Sequence, residues 1–155
     1  MISTRARYAL HGACYLALLP GETTPFPRLF SYLGAWSGDQ ALSRGYVSKI
    51  FQDLARGGIV RSVPGRKGGY RLSRPAREVT LLDVVQAIEP FLSNECCLLA
   101  AGECPVRSAC GIVSVLDTAQ AAFVRVLAGM TLEKMSRSMP LPGGPARSRK
   151  ASAKG

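Results

Sequence analysis

The stretch SRGYVSKIFQDLARGGIVRSVPGRKGGYRL, residues 43–72, decides the fold. Within it Val47, Ile50, Phe51 and Leu54 fall at i, i+3, i+4 and i+7, a single apolar stripe along a helix. Ser43 is placed to cap that helix, and Gly57-Gly58 to stop it. The other side carries Arg44, Tyr46, Ser48, Lys49, Gln52 and Arg56, side chains that suit phosphates and base edges. Two short β-prone runs follow, Ile59 to Pro64 and Tyr70 to Ser73. The Gly65-Arg66-Lys67-Gly68-Gly69 between them permits a tight turn and is basic at its tip. A helix, a basic-faced helix and a basic hairpin in that order predict a winged helix-turn-helix. Its second helix fits a major groove, and its wing reaches the neighbouring backbone.

Upstream, residues 5–19 read as an amphipathic helix with Tyr8, Gly12, Tyr15 and Leu19 on one face, ended by Pro20-Gly21. Residues 25–40 are ambiguous. Leu29, Phe30, Leu33 and Trp36 have helical spacing, but Pro27, Gly34 and Gly38 interrupt it, so a short helix followed by a loop is expected. Downstream, Thr80 and Asp83 form a capping box for a helix bearing Leu81, Val84, Val85 and Ile88, halted by Pro90. Beyond a cysteine-bearing loop, Ile112, Leu116, Ala119, Phe123, Val126 and Met130 recur at spacings of 4, 3, 4, 3 and 4. That heptad seam predicts a helix lying along another helix, with a homodimer favoured over an intramolecular partner. From Arg137 on, the chain is dominated by Pro, Gly, Ser, Ala and basic residues without apolar periodicity, the composition of a disordered tail. The expected fold is mainly α with a small β-hairpin wing. Its parts are a winged helix-turn-helix domain (1–79), a cysteine-bearing loop and long dimerisation helix (80–135), and a basic tail (136–155).

Charge sharpens the reading. The net charge is +10, and from Arg44 to Glu78 nine basic residues face two acids, whereas Thr80 to Met135 holds three basic residues and six acids. A cationic patch confined to one segment points to a polyanion, double-stranded DNA, because neutralised phosphates release counterions. Ser43, Arg44, Tyr46, Ser48 and Lys49 on the helix, with Arg61, Arg66, Lys67, Gly68 and Gly69 on the wing, are the candidate DNA contacts. The longest apolar run, Ala13 to Leu19, is far below the roughly 20 residues of a spanning helix, and the start lacks signal-peptide order. A cytoplasmic protein with no membrane partner is therefore expected.

Four of the five cysteines lie within fifteen residues, Cys96, Cys97, Cys104 and Cys110, while Cys14 stands apart. In a reducing compartment such clustering suggests metal or redox chemistry rather than disulfides. Structural zinc is disfavoured, since no close C-x₂₋₄-C pair occurs unless adjacent cysteines count. A cluster-free thiol switch using Cys96 and Cys97 is a second alternative. A single histidine, far from the cysteines, and no other catalytic signature argue against an enzyme.

These elements resemble the IscR/NsrR-type family of bacterial winged-helix regulators. The matching residues are Arg7-Tyr8-Ala9-Leu10, Tyr46-Val47-Ser48-Lys49-Ile50, Gly65-Arg66-Lys67-Gly68-Gly69-Tyr70-Arg71-Leu72, Thr80-Leu81-Leu82-Asp83-Val84-Val85 and Ile88-Glu89, followed by the cysteine loop. The resemblance spans about Met1 to Met135; residues 30–42 depart from it, being longer and richer in Gly and Trp. It implies a regulator, a repressor in the first instance, whose operator binding depends on an iron–sulfur cluster, 2Fe–2S or 4Fe–4S. Cys97, Cys104 and Cys110 give C-x₆-C-x₅-C, and Cys96 offers C-x₇-C-x₅-C instead; soft anionic thiolates suit either cluster. No histidine follows Cys110. A fourth ligand is therefore sought at His11 on the first helix, a position where a lone histidine is otherwise more often structural.

Overall fold

The computed structural model describes residues 2–89 and 110–139; Cys96, Cys97, Cys104 and residues 140–155 of the tail lie outside the described residues. The elements run α1 (Thr4–Ala17), α2 (Phe26–Ser37), α3 (Arg44–Arg56), β1 (Val60–Val63), β2 (Gly69–Leu72), α4 (Leu81–Ile88), α5 (Gly111–Ala128) and α6 (Leu132–Ser136), with one 3₁₀ turn at Ala76–Glu78.

Helix α1 starts at Ser3, whose hydroxyl accepts from the Ala6 N–H at 3.1 Å. It is buried nearly all round rather than along one stripe, and α2, α3, α4 and α6 all pack on it. Small residues make that possible: Ala6, Ala9, Gly12 and Ala13 let neighbouring helices come close. A Cβ at Gly12 would lie 2.5 Å from Phe51 Cζ, so glycine there is a packing requirement. The amphipathic reading of this segment underestimated how central it is.

Helix α2 runs without interruption from 26 to 37, longer than expected. Pro27 falls in the first turn, where its missing N–H costs nothing, and Gly34 is carried inside the helix. Gly38 ends it in the left-handed conformation at φ 63°. Helix α3 matches its reading: Val47, Ile50, Phe51 and Leu54 are completely buried, and Ser43 Oγ accepts from Tyr46 N–H at 3.2 Å. The wing is a two-stranded antiparallel sheet with Val60 opposite Leu72, Arg61 opposite Arg71, Ser62 opposite Tyr70 and Val63 opposite Gly69. Thr24 adds a bridge, exchanging both backbone hydrogen bonds with Tyr70 at 2.9 Å. A side chain at Gly69 would strike the Thr24 carbonyl, which explains that glycine.

The predicted capping box before α4 is present, Thr80 N–H donating to Asp83 Oδ2 at 2.8 Å and Asp83 N–H to Thr80 Oγ1 at 3.1 Å. After α5, the short helix α6 docks back on the body. Thr131 bridges Thr80, Leu81 N–H donates to the Met130 carbonyl, and Leu132 is fully buried. This return was not foreseen, since five residues are too few to display a period.

Candidate nucleic-acid interface and ligand residues

Because α3 spends its whole apolar stripe inward, its remaining side chains face out with their charge intact. Arg44 and Lys49 are exposed and Ser48 is half-buried. The Arg44 guanidinium carbon lies 5.3 Å over the Phe30 ring, a cation–π contact that holds the group without neutralising it. Tyr46 is 40% exposed and meets Tyr8 edge-on at 6.0 Å. The one acid of the helix, Asp53, is paired with Arg5 and with Arg56 at the C-terminal end of α3, which leaves Arg44 and Lys49 without an acid partner among the described residues.

At the wing tip, Gly68 N–H donates to the Gly65 carbonyl at 2.9 Å, closing a tight turn in which Gly65 has φ 103°. Arg66 and Lys67 project from it, exposed and without an ion pair among the described residues. A Cβ on Gly68 would collide with the Val63 carbonyl, so Gly68 and Gly69 shape the wing through their backbone. Tyr70 packs on Phe51 at 5.0 Å, joining β2 to the buried side of α3. Arg61 stands apart from the tip, at the base of the hairpin, beside Arg71 and Arg74.

Of the candidate metal ligands, His11 and Cys110 lie within the described residues. His11 stacks on Trp36 with centroids 3.4 Å apart. Burial lowers its pKa to about 4, so the imidazole is neutral near pH 7, and its Nδ1 is buried with no hydrogen-bond partner among the described residues. A neutral ring with an unused nitrogen is the form in which histidine ligates metals. Cys110 is the N-cap of α5, half-buried, and its side chain makes no capping hydrogen bond. The first-turn N–H groups beside it favour an anionic group at that end of the helix. Among the described residues no three potential ligands converge. Cys14 is buried in α1, and burial pushes its thiol up to about 12, which makes it inert. The Trp36 stack escaped the sequence reading; its signal was the helical spacing of Trp36 with Leu29 and Leu33.

The expected seam on α5 divides. Phe123 and Met130 pack partly on the chain's own core, while Ile112 is 55% exposed and Val126 67% exposed. Val115, outside the heptad positions, is also 67% exposed. By length and composition alone this 18-residue helix could cross a membrane, which a search for unbroken apolar runs overlooks because Asp117, Thr118 and Gln120 interrupt it.

Residues 2–138 match the sequence family described as Rrf2, iron-dependent transcriptional regulator. Protein aau3 of Rhizobium meliloti (strain 1021) is 34% identical over 140 residues, which cover 90% of this chain and 86% of that protein. Among solved structures, CymR (YrzC), the global cysteine regulator of B. subtilis, superposes with a TM-score of 0.68 at 23% identity, covering 90% of this chain and 98% of that one. T. potens IscR gives 0.65 at 22% identity, covering 89% and 87%. At such identities the two structures establish the winged-helix fold, and the family match, which takes in nearly the whole chain, establishes the rest: this protein is a DNA-binding transcriptional regulator of the Rrf2 family.

Proposed function

We propose that this regulator represses its target genes as a homodimer whose operator affinity is set by an iron–sulfur cluster held by Cys97, Cys104, Cys110 and His11, with Cys96 the alternative to Cys97. The observation that carries the reading is His11, a neutral imidazole whose Nδ1 lacks a partner, on the helix around which the DNA-binding domain is packed. Three thiolates and one imidazole are a donor set that iron–sulfur clusters accept. Bound there, the cluster supplies a centre that changes charge and ligation with redox state, nitric oxide or iron supply. His11 is the weaker donor of the four, and it sits in the same helix as Tyr8, which touches Tyr46 of α3. A change at His11 therefore has a short path through packed side chains to the recognition helix. Ser43, Arg44, Tyr46, Ser48 and Lys49 read the groove, Arg66 and Lys67 hold the adjacent backbone, and the exposed apolar face of α5 pairs two chains. A cytoplasmic location follows from that role.

The test is purification without oxygen, followed by absorbance and assays of iron and sulfide. Brown protein with charge-transfer absorbance near the blue end of the visible range is expected, bleached by Cys104→Ala or Cys110→Ala. His11→Ala should leave a folded protein whose cluster is labile. Colourless protein carrying stoichiometric zinc would make the site structural. Colourless metal-free protein with a Cys96- or Cys97-dependent redox response would make it a thiol switch.

A further inference from the structure

We infer that the cavity between the base of the wing and the C-terminal end of α1 is a binding site for a small organic anion, a carboxylate or phosphate on a short apolar body. The inference uses neither the cluster nor the operator.

Three observations meet there. The β1–β2 register sets Arg61 directly opposite Arg71. Such partners lie on the same side of the sheet with Cβ atoms about 5 Å apart, and like charges so placed repel. Neither arginine has an ion pair among the described residues. Arg74 adds a third guanidinium to the lining, its nearest carboxylate being Asp83 at 3.9 Å. The second observation is Arg71 Nε, buried with no hydrogen-bond partner among the described residues. An unmet buried donor on a cation carries a desolvation cost that an acceptor would remove. The third is the space itself, about 240 Å³, walled by Leu16, Leu19 and Pro20, with no acidic residue in its lining among the described residues. A dry cavity of roughly 150 Å³ already admits benzene, while drug-sized ligands begin near 300 Å³. An oxyanion clamped by planar guanidinium forks, with its carbon stem against the leucines, answers all three. A DNA phosphate would answer the charge but leave the apolar walls unused. Occupancy would brace the wing against α1, so the ligand class is that of an effector.

The test uses metal-free, DNA-free full-length protein at physiological salt, titrated with phenyl phosphate by calorimetry and thermal shift. Inorganic phosphate and benzyl alcohol serve as head-only and body-only controls. Saturable binding of one phenyl phosphate per chain is expected, tighter than phosphate, with no binding of benzyl alcohol. Arg71→Ala should weaken it about tenfold or more and Arg74→Ala less, while Lys67→Ala at the wing tip leaves it unchanged. Arg71→Lys keeps the charge but not the fork; it should also lose affinity, and it covers the case in which Arg71→Ala does not fold. Absence of saturable binding, or equal losses in Lys67→Ala and Arg71→Ala, would overturn the site. So would an Arg71→Lys variant that weakens random-sequence duplex binding as much as Lys67→Ala does, because the cavity would then be a seat for the DNA backbone.

Discussion

Helix α5 is much richer in apolar side chains than α3, and the two dispose of them in opposite ways. In α3, Val47, Ile50, Phe51 and Leu54 are completely buried, and what remains outside is polar and cationic. In α5, only Gln120 and Leu127 are buried, whereas Ile112, Val115 and Val126 stand more than half exposed. The first helix is complete within one chain and presents a surface for a charged ligand. The second leaves an apolar face exposed in the single chain, the kind of surface that marks an interaction site. Apolar periodicity thus serves folding in α3, and burial sets α5 apart as the face of the proposed homodimer.

The comparison can be broken at α3 by Phe51→Ala. It should cost about 3–5 kcal/mol, the range for a large buried aromatic, with the urea midpoint falling accordingly. Tolerance of that change would mean the α3 stripe is not the keystone that its burial implies. At α5, Val126→Asp should leave the fold intact, because the side chain is exposed in the single chain, yet weaken self-association on the order of a hundredfold. Light scattering should show dimer for wild type and monomer for the variant; a monomeric wild type would remove the assembly role of α5. Phe123→Asp is the poorer probe, since Phe123 also packs on the chain's own core.

On the outward face of α3 and the wing the expected effects are smaller. Arg44→Ala should cost about 1–3 kcal/mol of operator discrimination if its fork reads a base. Lys67→Ala should weaken all sequences alike and lower the salt slope by about one. Binding assays across a salt series separate the two, and an Arg44→Ala variant with Lys67-like behaviour would reduce α3 to a backbone contact. The smallest effect concerns Cys14. Its thiol is pushed up to about 12 from an unfolded value of 9.0, so above pH 9 the unfolded chain releases a proton that the folded chain keeps. Stability should therefore fall as pH rises from about 9 toward 12, and Cys14→Ala should flatten that limb. Native protein should resist alkylation at Cys14 at pH 8; rapid labelling there would contradict its burial.

Legibility followed the same division. The α3 stripe, its Ser43 cap, the wing and the Thr80–Asp83 box could be read because each is written in adjacent residues with one period. Helix α2 was cut short because Pro27 and Gly34 look like breakers until the proline is seen to occupy the first turn. Helix α1 was read as two-faced because alanine and glycine carry little apolar signal, although they are what allows four helices to pack around it. Among the candidate ligand residues, His11 rests on the family resemblance together with its being the chain's single histidine. The Trp36 stack and the unpartnered Nδ1 needed coordinates, because the two rings meet across two helices. The arginine cavity was invisible for a related reason, since Arg61 and Arg71 become opposite numbers only once the strand register is known.

The docking of α6 has a mechanical consequence. Thr131 bridges Thr80, Leu132 N–H donates to the Val79 carbonyl at 2.8 Å, and Leu132 is buried, so the C-terminal end of α5 is pinned to the body. Cys110 sits at the opposite end of that 18-residue helix, about 27 Å away at ~1.5 Å per residue. A swing of about 10° about that anchored end would carry Cys110 through roughly 5 Å. Chemistry that tugs on one sulfur at the tip would be delivered as torque at Thr80, the cap of α4, whose helix packs directly against both α1 and α3.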